Sequence, residues 1–152
     1  MGAESGSQAV LDAMDKGSRV EHAIEATGNL RKYGIRACFF LQFGYPGETW
    51  QDIEQTIQMV RRAKPHDIGV SVSYPLPGTA FHDRVSTQLG KKENWIDSGD
   101  LAMMFRGPYP SEFYRALADV LHQEVRGGVP DWETVYDLER RGRSQRLQWT
   151  SC

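Results

Sequence analysis

The feature that most constrains this chain is a pair of short runs, apolar on both faces, each followed by a Pro/Gly turn and a helical pattern. Residues 35–43 (IRACFFLQF) and 67–73 (DIGVSVS) start about 32 residues apart, the length of one βα unit. Strands apolar on both sides suit a parallel sheet covered by helices. The helical patterns between them agree. Val10, Leu11 and Met14 mark a short helix closed by Lys16-Gly17. Ser18 with Glu21 three residues later predicts a capping box for a helix carrying Val20, Ala23, Ile24, Thr27 and Leu30. Trp50, Ile53, Ile57 and Val60 form a single helical stripe that Pro65 stops. Phe81, Val85 and Leu89 follow the second run, and Phe113, Leu117, Val120, Leu121 and Val125 predict a helix over 111–125. Extrapolated one unit back, the rhythm puts an earlier strand just before Gly2. The expectation is two complete strands and the stub of a third, with Met1 at an interior position of a larger domain. Such a sheet has a bare edge and leaves Phe39, Phe40, Leu41 and Val72 short of cover, which predicts a marginal, dimeric or aggregation-prone molecule.

Composition narrows the function. The 152 residues are about one domain. A charged share of 25% is ordinary for a soluble globular chain and excludes the disordered class. No apolar run is long enough to span a bilayer, and residues 1–7 have no signal-peptide pattern. With 18 basic against 20 acidic side chains, no general attraction to nucleic acid or anionic membrane is expected. Cys38 and Cys152 make no disulfide framework; Cys38 is expected to be a small buried hydrophobe. The histidines (His22, His66, His82, His122) are scattered, so no metal site is expected and the expected compartment is a reducing cytoplasm.

Three turns carry the candidate chemistry: GAESGS (residues 2–7), GYPGET (44–49) and YPLPGT (74–79). In a parallel α/β sheet the strand ends preceding them share one edge, where ligands bind. In the first turn Gly2 and Gly6 permit close backbone approach. Glu4 offers an acceptor for ribose hydroxyls or an ammonium group, and Ser5 and Ser7 offer hydroxyls, although Ser7 also suits a helix cap. In the second, Tyr45-Pro46-Gly47-Glu48 predicts a type II turn, and Glu48 is expected at the positive end of the next helix. In the third, Pro75 and Pro77 fix the backbone, Gly78 relaxes it, Thr79 caps a helix and Tyr74 is placed to stack on a ring. Beyond residue 90 the chain becomes mixed loop, with Trp95, Met103, Met104 and Phe105 as expected anchors. The charged, Arg-rich residues 127–152 carry a weak helical pattern and read as a solvated or partly ordered extension.

Taken together, GAESGSQAVLDAMDKG, FGYPGETWQDIEQTI and SVSYPLPGTAFHDRV resemble the second half of the radical S-adenosylmethionine (SAM) core. The resemblance runs over residues 1–121 and is nearest to radical SAM proteins with an N-terminal cobalamin-binding domain, the group of anaerobic porphyrin ring cyclases and hopanoid C-methylases. It implies an α/β fold: a partial (β/α) barrel of about three C-terminal βα units from a (β/α)6 core, plus a helical C-terminal extension. Residues 1–90 would be units four to six, 91–126 a loop and helix packed on them, and 127–152 the tail. It also implies that Glu4, Ser5 and Ser7 lie near the ribose and methionyl part of SAM. Gly44, Tyr45, Pro46 and Gly47 would then wall the adenine, and Tyr74 and the 75–78 turn, Pro77 included, would border cofactor or substrate. Lys16 and Arg36 are weaker candidates for the SAM carboxylate.

The chain departs from the family pattern in one respect that decides its chemistry. It has no CxxxCxxC motif, so it holds no ligand set for the family's [4Fe–4S] cluster, and the Gly-Gly-Glu-like segment and cobalamin domain are missing too. The resemblance therefore implies the SAM-binding part of a methyltransferase- or cyclase-type radical enzyme acting on a small molecule. Alone it would be inactive, and its partner would be the N-terminal half of the barrel or a second copy. The alternative is a half-barrel that binds or assembles without catalysis. A flavodoxin-like nucleotide domain is disfavoured, because no phosphate loop is present.

Overall fold

The computed structural model describes residues 1–89 and 101–149, with side chains described as far as Gly142. Trp95 and Cys152 lie outside the described residues. Three strands, β1 (Gly2–Glu4), β2 (Cys38–Phe43) and β3 (Asp67–Val72), form one sheet in the order β1-β2-β3, and both pairings are parallel. The helices are α1 (Gln8–Ala13), α2 (Val20–Lys32), α3 (Trp50–Ala63), α4 (Ala80–Val85), α5 (Ser111–Val125) and α6 (Trp132–Trp149). The fold is α/β, with the expected alternation of strand and helix. The first strand occupies Gly2–Glu4 rather than ending before Gly2, so the first turn is confined to residues 5–7. None of the described helices is long and apolar enough to cross a membrane.

Alternation along β2 sorts the sheet into two faces. Phe39, Leu41 and Phe43 are essentially fully buried, in one cluster with Ile53, Ile57 and Val60 of α3 and Phe113, Leu117 and Leu121 of α5. The intervening residues Cys38, Phe40 and Gln42 face the other way, in register with Asp67, Gly69 and Ser71 of β3. Phe40 is 53% exposed and lies over Gly69, where an added Cβ would come within 3.2 Å of its ring. Of the four residues expected to lack cover, only Phe40 does; Phe39, Leu41 and Val72 are packed under helices. Cys38 is exposed rather than buried. A run apolar at nearly every position does not reveal its parity, and Cys38 shares the parity of Phe40.

Two helix ends differ from expectation. Helix α2 starts after Arg19 without a side-chain cap, and no Ser18–Glu21 box forms. Instead the Gln8 side chain accepts the Val20 N–H at 3.3 Å, and Glu21 pairs with Arg62 at 3.2 Å. The reciprocal box sits at α3, between Thr49 and Asp52. The charged C-terminal stretch holds an 18-residue helix in contact with α5. Val135 is fully buried, Trp132 Nε1 donates to Glu124 at 2.8 Å, and the Arg61 guanidinium lies 5.2 Å from the Trp132 ring centre. Two buried aliphatic residues, Val135 and Leu138, are enough to dock it against α5 while leaving little hydrophobic signal.

Candidate functional site

Because the strands are parallel, residues 5–7, 44–49 and 73–79 leave the same edge of the sheet. The Ser73 N–H donating to Phe43 O at 2.7 Å continues the β2–β3 ladder into that edge. The three loops are held differently.

The first is locked onto α3. Ser5 Oγ lies 3.2 Å from Thr56 Oγ1, which also accepts the Gly6 N–H at 2.9 Å. Ser5 Oγ accepts the Ser7 N–H at 3.1 Å. Ser7 Oγ donates to Asp52 Oδ1 at 2.6 Å and caps α1 by accepting the Val10 N–H. Both serines are buried, so their hydroxyls are committed to internal bonds. Gly6 is required by contact: an added Cβ would fall 2.4 Å from Gln55 O and 2.5 Å from Thr56 Cα. Burial pushes Asp52 up, but hydrogen bonds from the Ser7 and Thr49 hydroxyls and the Thr49 backbone outweigh it and hold its carboxyl below the ordinary value. Glu4 differs from its neighbours. It adopts a left-handed backbone (φ 57°), and its Oε1 meets Lys16 Nζ at 3.3 Å.

The second loop is a type II turn, with Pro46 and Gly47 (φ 89°) central and the Glu48 N–H donating to Tyr45 O at 2.9 Å. Glu48 does not serve the start of α3, where Thr49 and Asp52 already satisfy the first amides. Its carboxyl turns inward and accepts the Gly44 N–H on Oε2 at 2.6 Å, while Oε1 is buried with no hydrogen-bond partner. Burial raises its pKa to about 8, the Gly44 bond opposes the shift and Asp52 adds to it. Tyr45 is buried: its hydroxyl donates to Ala13 O at 2.7 Å and its ring lies 5.1 Å from that of Phe81. Gly44 is roofed by Met103 and Tyr114. What this loop leaves accessible is Gly47, Thr49 and part of Pro46.

The third loop is the open one. Tyr74 is half-buried and Pro75 buried, whereas Leu76, Pro77 and Gly78 (φ 83°) are exposed. Thr79 caps α4 by accepting the His82 N–H at 3.1 Å. The structure thus brings the predicted residues to one edge, but it spends Ser5, Ser7 and Tyr45 on holding that edge together. Arg36 is not there at all; it sits beside His66 at the opposite end of the strands.

Sequence reasoning missed Gln42, whose Nε2 donates to Ser73 Oγ at 3.0 Å. The available signal was the period of two: Gln42 shares the parity of exposed Phe40 in an otherwise apolar strand. It also missed Thr56, the acceptor on which the first loop is anchored.

Residues 1–60 match the family model described as the Radical SAM superfamily. A protein named as an uncharacterized methyltransferase in Pyrococcus horikoshii is 27% identical over 95 residues, 62% of this chain and 21% of that protein. A putative methylthiotransferase of Methanocaldococcus jannaschii is 32% identical over the same length, again 62% of this chain and 21% of that protein. A tRNA-2-methylthio-N(6)-dimethylallyladenosine synthase of a Sulfurihydrogenibium species is 25% identical over 129 residues, covering 80% of this chain and 30% of the synthase. The chain therefore spans between about a fifth and a third of the length of these relatives.

Proposed function

Since residues 1–60 match the model of the Radical SAM superfamily, we propose that this chain supplies the SAM-binding strand ends of a radical SAM enzyme of the methyl- or methylthio-transferring kind. The reading rests chiefly on one observation, the parallel register that gathers three ligand-type loops at one sheet edge. The Glu4–Lys16 pair offers a carboxylate and an ammonium 3.3 Å apart, a donor set complementary to the ammonium and carboxylate of a methionyl group. Half-buried Gln42, held by the buried Ser73 hydroxyl, adds a neutral polar group, and the exposed Gly47 and Pro77 offer backbone and ring surface to a purine. SAM, when bound, brings the sulfonium whose carbon–sulfur bonds react; the chain's own residues bind and orient it. Ser5, Ser7 and Tyr45 enter this reading as supports for the loops rather than as ligands.

The residues present do not fit a [4Fe–4S] cluster. The sequence has two cysteines, far apart and not in a CxxxCxxC pattern, and no group of three His, Cys, Asp or Glu suited to a metal ion occurs among the described residues. No reaction step of this chain is routed through a cluster, and the thiolates would come from an N-terminal half of the barrel. The finer reading, a cobalamin-linked enzyme, rests on the likeness of the three turn motifs to that subgroup.

Calorimetric titration of the chain with SAM tests the proposal. Saturable binding is expected, weakened about tenfold, or about 1.4 kcal/mol, by Glu4→Gln, which removes the charge facing the ammonium. Absence of heat in the folded wild-type chain, or identical affinity in the variant, overturns the assignment of this edge.

A further inference from the structure

The opposite edge of the sheet, where the strands begin, carries a second concave surface. It lies between the end of α2, the turn leading to β2, and the junction of α3 with β3, with a volume of about 400 Å3, within the range of small-ligand clefts. Ala37 and Pro65 are buried at its base. Its charged lining is Arg31, Arg36 and Lys64, with His66 beside them and no carboxylate. The neighbouring acids are engaged elsewhere: Asp67 is bound by Arg126 at 3.2 Å and Glu124 by Arg61 at 2.6 Å. Lys16 and Arg62 likewise have carboxylate partners. The cations of this groove do not, among the described residues.

Helix ends account for only part of this clustering. Arg31 stands in the last turn of α2, where a cation is favoured, and its Nη2 donates to the Ala63 and Lys64 carbonyls at 2.5 and 2.8 Å. Those two carbonyls at the end of α3 are thereby satisfied before Lys64 and Arg36 are considered. Lys64 occupies a left-handed position (φ 50°) just past α3, a place where Gly or Asn is usual and a lysine is strained. Arg36 belongs to no helix. Its Nη1 lies 3.4 Å from His66 Nε2; a guanidinium only donates, so the imidazole nitrogen accepts and fixes the direction of the arginine. Three cations are thus gathered without a counter-ion, one aimed by a histidine, one anchored on carbonyls and one held in an unfavourable backbone conformation.

We propose that this groove binds the phosphate group of a small molecule through Arg31, Arg36 and Lys64. The planar fork of an arginine matches phosphate oxygens in pairs, and the lysine adds a point charge. The assignment is independent of the SAM reading, since it concerns the other end of the strands and residues that reading does not use.

Titration of the isotopically labelled chain with pyrophosphate at low ionic strength, followed by NMR of the His66 ring and the arginine Nε–H groups, tests it. Saturable shifts confined to these groups are expected, with a dissociation constant of about 1 mM or below. The double variant Arg36→Gln/Lys64→Gln should weaken binding at least tenfold, while Arg84→Gln, an exposed cation on α4, should leave it unchanged. All three substitutions are at exposed positions, so the fold survives them. Shifts that rise linearly without saturating, or an equal response in the double variant and Arg84→Gln, overturn the proposal. A short oligoribonucleotide that displaces pyrophosphate at hundredfold lower concentration would reassign the groove to nucleic acid and overturn the small-molecule assignment.

Discussion

The loops after β1 and β3 look alike in sequence, each a Gly-containing turn ending in a hydroxyl residue that caps the next helix, yet they are mechanically opposite. The first is riveted to α3 by Ser5, Thr56, Ser7 and Asp52, with Gly6 pressed against the α3 backbone. The third is anchored only at its start, by buried Pro75 and half-buried Tyr74, while residues 76–79 stand exposed and an added Cβ at Gly78 meets nothing. The second sits with the first, because Glu48 and Tyr45 bind it from inside. A ligand edge built this way has two fixed walls and one adaptable wall. Under the proposed SAM-binding reading, the fixed walls would set where the cofactor lies and the adaptable one would follow what is bound.

The largest test of that contrast is the buried acid in the second loop. Glu48 ionises at about 8 in the folded chain against 4.5 as the ordinary value, so the fold prefers it protonated. Its contribution is fully present below about pH 4.5 and declines as pH rises toward 8, because the unfolded chain ionises first. Denaturant midpoints taken across this window should fall, with a loss on the order of 4 kcal/mol from this group. Glu48→Gln mimics the neutral acid, keeps an acceptor for the Gly44 N–H, and should flatten the profile. A wild-type profile no steeper than that of the variant would mean that the second loop is not held by a buried neutral carboxyl.

Next in size is a pair of glycine substitutions. Gly6→Ala forces a methyl into the Gln55 carbonyl and Thr56 Cα, and should cost about 3 kcal/mol in urea unfolding. Gly78→Ala meets no atom and costs only its backbone conformation (φ 83°), about 1 kcal/mol. Equal losses at the two sites would erase the distinction between locked and open loops.

Much of this architecture is legible in the sequence, and what is not legible has a common cause. The parallel strands, the helix that Pro65 ends, the helix over 111–125 and the type II turn all follow from signals carried within a few residues. The inward fate of Ser5 and Ser7 does not, because their partners Thr56 and Asp52 lie some 45–51 residues away. A hydroxyl in a turn offers the same signal whether it meets a ligand or a helix. Cys38 fails for the same kind of reason, since only pairing with β3 decides which face it joins. In α6, Val135 and Leu138 are too sparse among charges to announce their contact with α5. Gln42 was readable, a polar residue at the exposed parity, but only once the parity of β2 is known.

Thr56 is the place to weaken the locked loop without crowding it. Its Oγ1 accepts the buried Gly6 N–H at 2.9 Å, meets Ser5 Oγ at 3.2 Å, and donates back to Asp52 O at 3.1 Å. Thr56→Val keeps the shape and removes all three bonds, leaving a buried amide and a buried hydroxyl without this partner. The expected loss is about 2 kcal/mol, read as a lower denaturant midpoint at unchanged m-value. Hydrogen exchange should separate the two walls: the Gly6 and Ser7 amides should exchange faster in the variant, while the amides of Leu76, Gly78 and Thr79 should keep their wild-type rates. Exchange that quickens equally in both loops would show that the first and third turns move as one body, and the edge would then have no fixed wall on the β1 side.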